Sequence, residues 1–216
     1  MRIFQYNLAL YIAWLFIVWF LYAAFVYEKL VLNNGLIGHY AGEIFRVFIF
    51  LAPLAYLLKS FTDKEEFKTL TNCNTAKKFA LGLALSLGFA LIFLPLTLLA
   101  NGKSISIDAV NWLPLWAGIS IAVIVEELVF RGYILSKLLR YGRLAAVSTS
   151  SVLFVLIHYP GWWFHGAEYS FATWLQQSGS ILILGVILAL AFIKYRSLVI
   201  CILLHSTNNL IAKMAL

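Results

Sequence analysis

Phe79 to Ala100 reads FALGLALSLGFALIFLPLTLLA, 22 residues without a single charge. A helix that crosses a bilayer needs about 20 mostly apolar residues, with a usual range of about 17–25. This stretch meets the requirement, and six others meet it or come close: Leu8–Tyr27, Tyr40–Leu58, Trp112–Leu139, Leu144–Tyr159, Trp174–Ile193 and Ser197–Ala212. The expected fold is all-α, a polytopic transmembrane helix bundle of about seven spans. There is room for an eighth, half-spanning segment in Leu30–Ile37 or in the aromatic loop Trp162–Phe171. Pro160 and Gly161 are expected to end the fifth span. Pro53 and Pro95 fall inside spans, where neighbouring helices can satisfy the carbonyls that they free.

The composition agrees. Of 216 residues, 63% are hydrophobic and only 12% are charged. Soluble domains average about 45–50% apolar and about a quarter charged. So few charges cannot cover a water-facing surface, and lipid must be the main solvent. The run from Leu8 to Tyr27 is longer than the about 7–15 residues of a secretory h-region and lacks an A-x-A-like end, so it reads as a retained helix. Cys73 lies in a polar, lysine-rich loop and Cys201 in an apolar run, too few and too differently placed for a disulfide framework. The net charge of +7 comes without a basic stripe of interleaved aromatics, which excludes a nucleic-acid partner.

Loop charges orient the bundle. Lys59, Lys64, Lys68, Lys77 and Lys78 lie between spans two and three. Lys137, Arg140 and Arg143 flank the turn between four and five, and Lys194 and Arg196 lie between six and seven. The alternate loops carry Lys29 and Lys103, and none follows Tyr159 before span six. The alternation puts the N-terminus in the cytoplasm and the C-terminus outside. The expected location is integral and multi-pass, in a bacterial inner membrane.

Polar residues within these spans carry the functional signal. A charge at the bilayer centre costs about 2.5–3.5 kcal/mol on insertion scales. Span four nevertheless contains Glu126, Glu127 and Arg131. Span five ends with His158, and span seven contains His205, Ser206, Asn208 and Asn209. Glu127 and Arg131 are i, i+4 and share a helix face, so they can form an internal ion pair. Glu126 lies about 100° around the helix and points elsewhere. Without an intrahelical cation it suits general-base work on water. Phe154 and His158 share a face at i, i+4, as do His205 and Asn209. With about 1.5 Å of rise per residue, Glu126 lies roughly 20 Å from its span's inner end, His158 roughly 21 Å, His205 roughly 12 Å and Asn209 roughly 18 Å. One layer near mid-membrane can hold them all. Asn208 fits interhelical hydrogen bonding as well as it fits a functional role. His39, His165, Glu43 and Glu168 fall near span ends or in loops and read as solvated or interfacial.

At these residues the chain resembles the CPBP family, the CAAX proteases and bacteriocin-processing enzymes also called Abi proteins. Glu126–Arg131 matches the family's EExxxR motif, Phe154–His158 its FxxxH motif and His205–Asn209 its HxxxN motif, in the family's order. The resemblance covers roughly residues 112–212. It divides the chain into N-terminal transmembrane helices, residues 1–110, and a catalytic helical core, residues 111–216. It implies that Glu126 and His158 activate the attacking water, that His205 and Asn209 form the oxyanion hole, and that Glu127 and Arg131 support them, with Phe154 and Asn208 beside them.

The implied activity is hydrolysis of a peptide bond in a membrane-embedded or membrane-anchored substrate, with no cofactor. Zn²⁺ is the mechanistic rival, since three protein ligands and a water are the usual catalytic arrangement. No H-E-x-x-H is present, and the resemblance points to metal-free chemistry. A non-catalytic immunity or scaffold protein of the same fold would be expected to have lost a motif residue. A transporter with Glu126 as a proton site would be expected to show internal repeats and broken spans. Neither mark is seen.

Overall fold

The computed structural model describes residues 2–30, 35–60, 75–102, 105, 121–165 and 170–214. Among these residues helices and short turns make up the whole fold. Helix α1 occupies residues 2–30, an α-helix Arg2–Leu21 that continues through a π-helical segment Tyr22–Val26 into Tyr27–Leu30. Helix α2 is Gly35–Ser60 and α3 is Thr75–Asn101. Helix α4 is described from residue 121, with Val123–Glu127 in α geometry, Leu128–Leu135 in π geometry and a last turn Ser136–Leu138. Helices α5 (Arg143–Leu156), α6 (Tyr159–His165), α7 (Phe171–Tyr195) and α8 (Leu198–Met214) complete the chain.

Among the described residues, four segments are long and apolar enough to cross a membrane: Leu8–Lys29, Ala76–Ala100, Arg143–Phe164 and Phe171–Tyr195. The other expected spans are helical as well. One is α2, another is α4, and α8 is a shorter apolar helix of 17 residues. Large side chains such as Leu87, Leu91, Leu99 and Phe171 are bare on the outside, the surface that lipid covers in a membrane bundle. Residues 112–120 of the fourth expected span, Cys73, Lys64, Lys68, Lys103 and Glu168 lie outside the described residues, as do residues 31–34 of the suggested half-span.

The prolines behave as a lipid solvent demands. Pro53 lies inside α2 and cannot donate to the carbonyl four residues before it, at Ile49. Trp14 Nε1 donates to that carbonyl from α1 at 3.3 Å, and Tyr11 Oη donates to the next one, Phe50 O, at 2.8 Å. Pro160 departs from expectation. It does not end the membrane helix. The chain turns at residues 157–158 and begins α6 at Tyr159, so Pro160 occupies a first turn, where a missing N–H is tolerated. Trp162 to His165, expected as loop, are therefore helical, and Arg143–Phe164 is long enough to span.

Close helix approaches set the geometry. A Cβ on Gly82 of α3 would lie 2.6 Å from Leu203 Cδ1 and 3.5 Å from Ile200 Cα of α8. A Cβ on Gly185 of α7 would lie 3.2 Å from Ser151 Cβ of α5. Small residues let backbones touch where no hydrophobic effect drives helices together. One apolar core runs through the bundle, from Leu8, Tyr11 and Leu15 of α1 to Phe130, Phe154, Leu188 and Leu204. Lys78 Nζ donates to Arg196 O at 3.2 Å, joining the start of α3 to the turn between α7 and α8. Cys201 is a free, buried thiol packed on Leu188 O.

Candidate active site

The site is built on α4. Glu127 and Arg131 are both fully buried, and Arg131 Nη1 donates to Glu127 Oε1 at 3.0 Å. The guanidinium also donates to Gly185 O at 3.3 Å and lies 4.2 Å above the Phe154 ring. The close approach at Gly185 brings that carbonyl within reach. Among the described residues, Glu127 Oε2 and Arg131 Nε have no hydrogen-bond partner. An incompletely bonded buried pair is a weak device for stability. Its consequence here is orientation, because the same Glu127 Oε1 accepts from His205 Nδ1 at 2.8 Å.

That bond fixes the His205 ring and leaves Nε2 to face the neighbouring carboxylate, 3.9 Å from Glu126 Oε2. The Nδ1 contact of a functional histidine commonly sets which nitrogen faces the chemistry in this way. His205 therefore bridges the two glutamates, one on each ring nitrogen. Phe154 packs edge-on against both histidines, with centroids 5.1 Å from His158 and 5.6 Å from His205.

His158 sits in the turn between α5 and α6. Its Nδ1–H donates to Phe154 O at 2.7 Å, which leaves Nε2 as the ring's free nitrogen. The turn is pinned from outside by Trp19 of α1, whose Nε1 donates to Ile157 O at 2.8 Å.

Two cavities meet at His158. One, of about 250 Å³, is walled by Trp19, Tyr22, Arg46, Glu126, His158 and Trp162. The other, of about 640 Å³, is walled by His158, His205, Asn208 and Asn209, with Gln176 and Gln177 of α7 opposite. The expected residues thus come together in two groups. Glu126 and His158 share the first cavity, whereas Asn208, Asn209 and His205 face the second and meet the first group through His158 and the Glu126–His205 contact.

Sequence reasoning missed Arg46, Gln176 and Gln177 and misplaced Glu43. Arg46 of α2 lies 3.8 Å from Glu126 Oε1 and 3.5 Å from Glu43 Oε2, with its guanidinium 5.3 Å from the Trp19 ring. Glu43, expected as solvated or interfacial, is largely shielded from solvent, its side chain only 15% exposed. The reason is a boundary. Helix α2 starts at Gly35, five residues before the expected start at Tyr40, so residue 43 lies two turns in. A readable signal existed, namely two opposite charges at i, i+3 inside an apolar stretch. Gln176 and Gln177, two amides in an apolar helix, were a second.

No group of three or more His, Cys, Asp or Glu side chains with the geometry to hold a metal ion occurs among the described residues. Residues 108–211 match the family model for type II CAAX prenyl endopeptidase, Rce1-like. The matched segment contains all three motifs. No curated protein and no solved structure matches the chain.

Proposed function

We propose that this chain, whose residues 108–211 match the model for type II CAAX prenyl endopeptidases, Rce1-like, is an intramembrane endopeptidase of the glutamate type. The reading rests on Glu126. Its carboxylate is 14% exposed on the wall of a cavity that His158 shares, while its neighbour Glu127 is engaged by Arg131 and His205.

A water between Glu126 and His158 gives its proton to the carboxylate as its oxygen adds to the scissile carbonyl. The oxyanion accepts hydrogen bonds from His205 and Asn209. The proton then passes to the leaving nitrogen as the C–N bond breaks, and a carboxylate and an amine leave. Phe154 holds the two rings and Asn208 borders the larger cavity. The chemistry is read as metal-free, and the reason is the Arg46 guanidinium 3.8 Å from Glu126 Oε1, a positive charge where a cation would have to sit. Residues 111–216 carry the reacting groups and residues 1–110 brace them. The substrate is a membrane-anchored peptide. The chain lies in a bacterial inner membrane with the N-terminus cytoplasmic and the C-terminus outside.

The test is cleavage by the purified chain of two quenched fluorescent probes, one a farnesylated CAAX peptide and one a transmembrane peptide without a lipid. Glu126→Gln and His158→Ala are each expected to lower kcat by about 10²–10⁴. Asn209→Ala is expected to lower it by about 10²–10³, the usual effect of losing one oxyanion donor. Full activity of both Glu126→Gln and His158→Ala would reject the mechanism. Loss of cleavage on chelation, restored by Zn²⁺, would reject the metal-free reading.

A further inference from the structure

We propose that Arg46, seated on Trp19, is the positioning residue that holds the Glu126 carboxylate in register with His158. The inference rests on the glutamate reading of the site. Arg131, the cation on Glu126's own helix, is fully buried against Glu127, Gly185 O and the Phe154 ring, so it cannot also serve Glu126. Arg46 reaches Glu126 from a different helix and from outside the family-matched segment.

Three contacts hold the guanidinium in place. Glu43 Oε2 lies 3.5 Å away, Glu126 Oε1 lies 3.8 Å away, and the Trp19 ring lies beneath at 5.3 Å. All three partners restrain one planar group, and an aromatic face under a partly desolvated guanidinium adds to the hold. Among the described residues Glu43 Oε2 has no hydrogen bond, and it lies 3.5 Å from Arg46 Nη1.

Trp19 links this cluster to the second water-activating residue. The indole that underlies Arg46 also donates to Ile157 O, in the turn that carries His158. One side chain of α1 therefore bears on the supports of both Glu126 and His158. The consequence is alignment, and a misplacement of about 1 Å can cost 10²-fold in rate.

The test uses the full chain in detergent and the same two probes. Arg46→Ala is expected to lower kcat by about 10–100-fold while KM stays within about threefold. Arg46→Lys is expected to restore part of the rate, and ethylguanidinium added to Arg46→Ala to restore more. A merely structural residue would show no rescue by a small cation. Should Arg46→Ala not fold, Arg46→Gln replaces it in the same assay. A kcat within twofold of wild type would overturn the proposal, as would a loss confined to KM, which would make Arg46 a substrate-binding group.

Melting temperatures test the contact without any substrate. The double variant Arg46→Ala/Glu126→Gln is expected to lose less than the sum of the single losses, and strict additivity would overturn the contact. The two readings separate cleanly. Inactive Glu126→Gln with fully active Arg46→Ala rejects the role of Arg46 alone. Active Glu126→Gln rejects the glutamate reading and this role with it.

Discussion

Glu126 and Glu127 are adjacent in sequence and divided in role. At about 100° per residue, neighbours on a helix face different walls, and Val123–Glu127 keeps that α geometry. Glu127 turns into the bundle, where Arg131 and His205 meet it, and Glu126 turns to a cavity. Removing one member of a buried pair leaves an uncompensated charge. Arg131→Met is therefore expected to destabilise the protein by about 3–5 kcal/mol, read as a lowered thermal midpoint in detergent. Arg131→Met combined with Glu127→Gln is expected to recover part of that loss, because no full charge then remains unpaired. The residue scale was the most legible in the sequence. The i, i+4 ion pair and the shared face of Phe154 and His158 follow from helix periodicity alone. Arg46 does not follow from it, because its partner lies 80 residues along the chain.

At the scale of elements, irregular helix geometry shapes the site. The π segment Leu128–Leu135 begins directly after Glu127, and π turns are frequent at functional positions because they shift the register of side chains. Such turns weaken the helix ladder, and side-chain hydroxyls meet its carbonyls. Ser150 Oγ of α5 donates to Phe130 O at 3.2 Å, and Ser136 Oγ donates to Arg131 O at 3.2 Å. Ser150→Ala is expected to cost about 1 kcal/mol, again read from the thermal midpoint. Gly185→Val is expected to cost more, about 1–3 kcal/mol by overpacking against Ser151. It is also expected to lower activity, because α7 must shift and Gly185 O then moves away from Arg131. The span pattern of these elements was readable in outline. Their ends were not. The start of α2 at Gly35 and the continuation of the fifth span through Pro160 depend on packing that hydropathy does not record.

Across the whole molecule, charge separates along the bundle axis. The Lys78–Arg196 contact puts the start of α3 and the end of α7 at one end. The close approach of Gly185 to Ser151 pairs α5 and α7 at matching distances from Arg143 and Tyr195, so Arg143 belongs to that end too. This is the end that the loop charges assign to the cytoplasm. Single cysteines placed at Lys78, Arg143 or Arg196 on a Cys73→Ser/Cys201→Ala background are expected to resist a membrane-impermeant maleimide in intact cells. A cysteine at Ser170 is expected to react. The opposite pattern would invert the proposed orientation.

The sequence by itself determined that this chain is an all-helical membrane bundle with ionisable residues inside several of its apolar helices. Length and hydropathy suffice for that, because a bilayer admits few backbone solutions. It also determined the internal pairing of Glu127 with Arg131, since a helix's own geometry brings i and i+4 together. Only the tertiary structure decided what Glu126 faces. Arg46 and His205 reach it from other helices, Trp19 lies under Arg46, and the turn at His158 and the glycine contact at Gly185 set the distances. Such contacts arise from how helices pack against one another, and periodicity along a single helix holds no record of that.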